Sequence, residues 1–118
     1  MKNSVNFYKG KFGLERETLR VDSHGRLAQT PHPFGNDEHI TRDFCENQVE
    51  LVTSVCESIG DALAALAELD EKTRNVLAEK GENIWLYSNP PHFDSEEDIP
   101  IADFVGDHSS KRSYREVL

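Results

Sequence analysis

Two stretches decide the fold: Phe12-Gly13-Leu14-Glu15-Arg16-Glu17-Thr18-Leu19-Arg20-Val21, and Thr41-Arg42-Asp43-Phe44-Cys45-Glu46-Asn47-Gln48-Val49-Glu50-Leu51-Val52-Thr53. Both read as β-strands, about Gly13 to Val21 and about Phe44 to Val52. Both carry carboxylates where a half-buried strand usually carries apolar or neutral groups. Residues two apart share one face of a strand. Glu15 and Glu17 therefore point one way, and so do Glu46, Gln48 and Glu50. If the strands pair with those faces together, four carboxylates crowd one surface. Like charges directly opposite on a sheet are destabilising. A hard divalent ion held by oxygen ligands is the simplest neutralising partner.

A solvated sheet face competes with that reading. In the second strand Cys45, Val49 and Leu51 make one face apolar, with Asn47 as the exception, and the other face carries Phe44, Glu46, Gln48, Glu50 and Val52. One core face and one wet face is ordinary in antiparallel sheets, and it accommodates Glu46 and Glu50 without a metal. The first strand fits it less well. Leu14 lies on one face, whereas Leu19 and Val21 share the other with the glutamates. That puts carboxylates at one end of a partly buried face, where burial raises their pKa values unless a cation or donors compensate. Asp43 has the opposite parity to Glu46 and Glu50. It joins their cluster only if the strand begins after it or bulges there.

Outward from these strands the elements are fewer. Asp22-Ser23-His24-Gly25-Arg26 between apolar stretches suggests a hairpin turn into Leu27 to Gln29. Thr30 to His39 holds two prolines and a glycine and reads as loop. Ser58, with Asp61 three residues on, approximates a capping box. Apolar positions at Ile59, Ala62, Leu63, Leu66, Leu69, Thr73 (through its methyl), Val76 and Leu77 then predict one helix, about Ile59 to Lys80, with Gly81 just past its end. Its role is to cover one face of a small sheet. Asn83 to Tyr87 reads as a short strand stopped by Pro90-Pro91. Residues 92–109 are acidic and loop-like, with Ile99, Ile101, Phe104 and Val105 as pins to the body. Residues 109–118 open like a helix and stop without a cap signal, so the chain reads as a piece of something longer.

Composition bounds the function. The 118 residues suffice for one domain, and the expectation is a single partial domain over 1–118. Net charge is −9, from 22 acidic and 13 basic residues that form no basic patch, which argues against a nucleic-acid partner. No apolar run approaches the roughly 20 residues of a membrane span, and the start lacks an apolar signal-peptide core. No membrane partner and a cytoplasmic location are expected. Cys45 and Cys56 show no zinc spacing and read as two reduced thiols. No Gly-x-x-x-x-Gly-Lys-Ser/Thr loop is present, so any nucleotide binds through metal and sheet.

The motif Phe12 to Val21, continued by Asp22-x-x-Gly25-Arg26-Leu27-Ala28-x-Thr30-x-His32-Pro33, resembles the start of the bacterial glutamate–cysteine ligases. These include the ligase part of bifunctional glutathione synthetases. Ile40 to Thr53 matches the same family's next motif. Ile84-Trp85-Leu86-Tyr87-Ser88-Asn89-Pro90-Pro91 matches more weakly, with Tyr87 and Asn89 departing from the family's usual Trp-Pro-Leu-Ser-Met-Pro. Tyr114-Arg115-Glu116-Val117-Leu118 is similar to a later Tyr-Arg-x-x-Leu helix. The four blocks run in family order from about residue 7 to the end, and family enzymes are several times longer.

The resemblance implies an α+β fold, an antiparallel sheet with a packed helix, forming the N-terminal part of a glutamine-synthetase-like ligase fold. It implies ATP-dependent joining of the glutamate γ-carboxyl to the cysteine amine through an acyl phosphate, the first step of glutathione biosynthesis. Mg²⁺ or Mn²⁺ would be the cofactor and ATP a co-substrate, with glutamate, cysteine and the remainder of the ligase chain as partners. Glu15, Glu17, Asp43 and Glu50 match family metal-site carboxylates. Phe44, Tyr114 and Leu118 match the cysteine pocket. Arg16 and Arg20, on the opposite strand face, read as structural charge partners, and Glu46 as a structural residue or one behind the ligands. The 118 residues alone are expected to be inactive. Two alternatives stay open: a non-enzymatic acidic module binding a metal or a protein partner, and another carboxylate–amine ligase of the same fold.

Overall fold

The first strand, β1 (Glu15–Val21), pairs antiparallel with a strand 30 residues downstream, and that hairpin-like pair is the frame of the molecule. The computed structural model describes residues 10–102. In it β2 (Ile40–Thr41), β3 (Gln48–Val52) and β4 (Asn83–Ile84) join β1 in one antiparallel sheet of order β2-β3-β1-β4. One helix, α1 (Ile59–Ala78), packs against it. The ladder between β1 and β3 runs on past the strand ends, through Thr53 N–H to Leu14 O and a mutual pair of bonds between Phe12 and Cys56.

The register sorts the side chains into two faces. Arg16, Thr18 and Arg20 share the helix face with Val49, Leu51 and Ile40, while Glu15, Glu17 and Leu19 share the other with Gln48, Glu50 and Thr41. Ile40, Val49 and Leu51 form the core on the helix side, packed by Phe34, Leu66 and Leu69. Arg16 reaches across that face to Asp70 of α1, and Arg20 is wholly buried against Glu82 at 2.9 Å. The two arginines are thus structural charge partners.

Three expectations need correction. The strand expected over Phe44–Val52 begins only at Gln48, because residues 42–47 turn between β2 and β3. Glu46 consequently leaves the acidic face. Its carboxylate lies 2.5 Å from Arg42 Nε and accepts from His32 N–H at 3.1 Å. The strand expected over Asn83–Tyr87 is two residues long, since after the bond from Trp85 N–H to Leu19 O the chain turns and the indole donates to Asn89 O. The helix ends at Ala78 rather than Lys80, and Ile59 and Leu63 at its start are exposed.

The local signals at the ends of α1 hold. Ser58 Oγ accepts from Asp61 N–H at 3.0 Å. At the other end Glu82 N–H reaches Leu77 O and Gly81 N–H reaches Ala78 O, with Gly81 at φ +70°, the left-handed closure that glycine permits. The Asp22–Arg26 turn forms as expected, Asp22 N–H donating to Arg26 O. Residue pairs 44–46 and 100–102 bond through Glu46 N–H to Pro100 O and Ala102 N–H to Phe44 O, so Ile101 does pin its loop to the body. Phe104 and Val105 lie outside the described residues. Cys45 and Cys56 are free thiols, and burial pushes the Cys45 pKa up. Among the described residues no helix is long and apolar enough to cross a membrane.

Candidate metal centre

The face of the sheet away from α1 concentrates acid for a geometric reason. Glu17 and Glu50 are direct cross-strand partners, so their side chains leave the sheet side by side. Glu15 stands two residues before Glu17 on the same face. Asp43 arrives from the turn between β2 and β3, where strand parity no longer applies, and this resolves how it reaches carboxylates of opposite parity. One carboxylate oxygen from each of Glu17, Asp43 and Glu50 lies within 4.8 Å of the others. Glu15 lines the same cavity but stands outside that cluster.

The cavity holds about 440 Å³. Among the described residues, six carboxylates line it, Glu15, Glu17, Asp37, Glu38, Asp43 and Glu50, against one basic residue, Arg42. Asp37 and Glu38 were not singled out from sequence. The Asp37 carboxylate is already engaged: Oδ1 accepts from His39 N–H at 2.8 Å and Ile40 N–H at 3.2 Å, and Lys72 Nζ lies 3.5 Å from Oδ2. Burial alone would raise its pKa, but those two amides and Lys72 hold it below the usual carboxylate range. Asp37 therefore shapes the wall by fixing the entry to β2. The signal available in sequence was an Asp two residues before a His at a strand start, the pattern of an Asx turn.

Behind the cavity the wall is held by the Arg42–Glu46 ion pair. Arg42 donates to Gly35 O at 3.1 Å as well as pairing with Glu46. His32 is buried beside them. Burial first, and the Arg42 charge second, lower its pKa to about 4, so the imidazole is neutral at pH 7. Phe44, next to Asp43, is half exposed and does not line the acidic cavity. Tyr114 and Leu118, the other two residues expected at a cysteine pocket, lie outside the described residues.

The donor set suits a hard cation. The ligand oxygens of an octahedral Mg²⁺ lie about 3–4 Å apart, given Mg–O distances near 2.1 Å. Three carboxylate oxygens within 4.8 Å of one another approach that spacing. Among the described residues the cluster is all carboxylate, the oxygen donor type that suits a hard cation.

The family model for glutamate–cysteine ligase matches residues 1–118. The chain belongs to the glutamate–cysteine ligase family. The glutathione biosynthesis bifunctional protein GshAB of Listeria innocua is 45% identical over 118 residues, 94% of this chain and 15% of its own length. The glutamate–cysteine ligase of Clostridium acetobutylicum is 42% identical over 117 residues, 93% of this chain and 24% of its own length. Among solved structures, a bifunctional glutathione synthetase from Pasteurella multocida superposes with a TM-score of 0.84 at 34% identity, covering 97% of this chain and 15% of that one. A glutamate–cysteine ligase from Francisella tularensis, solved in complex with AMP, gives 0.70 at 37% identity, covering 90% of this chain and 22% of that one. The sheet and helix described above therefore have the fold of these ligases, and the chain spans a small fraction of their length.

Proposed function

We propose that this chain is a segment of an ATP-dependent glutamate–cysteine ligase and supplies one wall of its metal site. The observation that carries the proposal is the convergence of Glu17, Asp43 and Glu50, from two strands and a turn, on one acidic cavity in a member of this family. Glu15, at the rim, completes the acidic set. Mg²⁺ or Mn²⁺ bound there would neutralise phosphate charge on ATP. The residues of this chain act by binding and orienting. The sheet holds Glu17 and Glu50 at fixed separation, and the turn adds Asp43.

In the proposed reaction the glutamate γ-carboxylate attacks the terminal phosphorus of ATP, giving an acyl phosphate and ADP. The cysteine amine then attacks the acyl carbon. Phosphate leaves with the bonding electrons, and the amine nitrogen loses a proton. Phe44 offers an exposed aromatic face beside Asp43 for the cysteine side chain, and the family resemblance assigns Tyr114 and Leu118 to the same pocket. The relatives are several times longer, and in the proposed reading the remaining contacts to ATP and glutamate fall to the rest of the ligase and residues 1–118 alone are inactive.

The test is calorimetric titration of Mn²⁺ into the whole ligase, wild type and Glu17→Gln/Glu50→Gln, paired with an assay of γ-glutamylcysteine formation. Loss of both metal binding and turnover in the double variant is expected. Unchanged metal binding overturns the site. Robust turnover by residues 1–118 alone overturns the claim that the segment is incomplete, and turnover with an acceptor other than cysteine redirects the reading to a related carboxylate–amine ligase.

A further inference from the structure

Strand pairing fixes Glu17 and Glu50 but does not fix Asp43. β2 ends at Thr41 and β3 begins at Gln48, so Asp43 rides on a six-residue turn. From Phe44 onward that turn is anchored by main-chain bonds: Ala102 N–H to Phe44 O, Gln48 N–H to Cys45 O and Glu46 N–H to Pro100 O. Its start is held by side chains: Arg42, through Gly35 O and Glu46, and Gln48. The amides of Asp43 and Phe44 both donate to a single atom, Gln48 Oε1, at 2.9 and 2.8 Å. Gln48 opens β3 and lies two residues before Glu50 on the same face.

We infer that Gln48 is a positioning residue for the metal site, acting through Asp43. The inference rests on the proposed metal site and adds a dependence that the ligands themselves do not imply. One side-chain oxygen, with both lone pairs used, ties the main chain of Asp43 to the strand that carries Glu50. Without that acceptor the two amides lose their shared partner, and the Asp43 carboxylate loses its fixed distance to the pair on the sheet. An amide suits the task because it supplies the acceptor without another negative charge beside a face that already holds Glu15, Glu17 and Glu50. Residues that orient ligands rather than bind the ion commonly set metal affinity in this way.

The experiment measures the Mn²⁺ dissociation constant of the whole ligase by electron paramagnetic resonance of the free ion. The variants are Gln48→Met, Gln48→Glu, Asp43→Asn, Glu50→Gln and Asp43→Asn/Gln48→Met. Gln48→Met keeps length and removes the acceptor, and it is expected to weaken binding about tenfold or more. Gln48→Glu keeps an oxygen over both amides and is expected to bind within about threefold of wild type or tighter. In the Asp43→Asn background Gln48→Met is expected to add less than about twofold, because the residue it positions is already lost. Gln48→Asn, which pulls the acceptor back by one methylene, replaces Gln48→Met if the latter does not fold, and thermal unfolding monitors each variant.

If Asp43→Asn weakens binding while Gln48→Met stays within about twofold of wild type, the metal site stands and the role of Gln48 falls. An equal loss from Gln48→Met with and without Asp43 also overturns it. If neither Asp43→Asn nor Glu50→Gln weakens binding, the metal reading itself is wrong, and this inference falls with it.

Discussion

Removing the carboxylate of Glu82 should unfold much of what holds the acidic turn in place. Arg20 is fully buried on the helix face of β1, and its guanidinium makes four bonds. Nη1 donates to Glu82 Oε1 at 2.9 Å and Thr30 Oγ1 at 2.8 Å, and Nη2 donates to Thr30 O at 2.6 Å and Glu46 O at 3.0 Å. Glu82 in turn accepts the Thr30 hydroxyl at 2.5 Å. Glu82→Leu deletes two bonds that involve a charged group, each worth about 1.5–3 kcal/mol, or about 3–6 together. Breaking a buried pair by removing one partner independently suggests about 3–5 kcal/mol, because the remaining charge is left in a dry site. The two routes agree on a loss near 4 kcal/mol, written as about 3–5. Urea unfolding followed by helix circular dichroism and by the fluorescence of Trp85, the single tryptophan, measures it. The double variant Arg20→Met/Glu82→Leu removes both charges and is expected to recover most of the loss. A cost below about 1 kcal/mol for Glu82→Leu, or a double variant that costs the sum of the singles, would show that Arg20 and Glu82 are not a coupled buried pair.

Other substitutions probe separate links. Glu17→Gln relieves the like-charge pair with Glu50, so without metal it should raise stability by about 0.2–1 kcal/mol. The same variant should lose the gain of about 2.7 kcal/mol that the wild type shows at a Mn²⁺ concentration 100 times its dissociation constant. Thermal unfolding of the ligase with and without Mn²⁺ reads both, and an unchanged metal response in the variant argues against Glu17 as a ligand. His32 is neutral when folded, with its pKa held at about 4 by burial and by Arg42, but takes a proton near its ordinary value when unfolded. Its contribution is therefore fully present above about pH 6.5 and declines as pH falls toward 4, by up to about 3 kcal/mol. Urea unfolding from pH 7 to 4.5 should show that decline, and His32→Gln should flatten it. Gly81→Ala places a side chain at φ +70° with open space around it, so its cost of about 1 kcal/mol is conformational, visible as a lowered Tm.

What the sequence carried and what it withheld divide along a physical line. Alternation by two fixed the faces of β1, because every residue from Glu15 to Val21 is in regular strand, and the carboxylates and arginines fall on opposite sides as their positions dictate. The cap residues of α1 were legible because Ser58 and Gly81 act within their own neighbourhood. Parity failed for Glu46 because it presumes an unbroken strand, and the chain from Arg42 to Asn47 is a turn held by side-chain bonds from Gln48 and Arg42. A glutamine that serves as a turn anchor has no local pattern distinct from a glutamine facing water. The exposed start of α1 was misjudged for a related reason: helical spacing reports which residues share a face, not whether anything covers that face. Asp43, read from family resemblance, reached the cluster through that same turn.

The alternation Glu-Arg-Glu along β1 looks self-neutralising in sequence and is the opposite in three dimensions. The strand sends Arg16 and Arg20 to the helix face, where Asp70 and Glu82 meet them. Asp70 also binds Arg74, with Nε 2.7 Å from Oδ2, and these two arginines hold its carboxylate below the usual range against the upward pull of burial. The basic groups are thereby consumed on their own side of the sheet. The carboxylates of Glu15, Glu17 and Glu50 lie on the other side, where Arg42 is the basic residue among the described residues of the cavity wall. A sheet built only for stability would place these arginines beside the glutamates and fill the helix face with apolar residues, since buried ion pairs contribute little beyond what good packing offers. The arrangement present accepts two charges in the core and sets Glu17 directly opposite Glu50 on the neighbouring strand. That combination fits the metal site proposed here, in which a divalent cation held between Glu17 and Glu50 would offset their like charge.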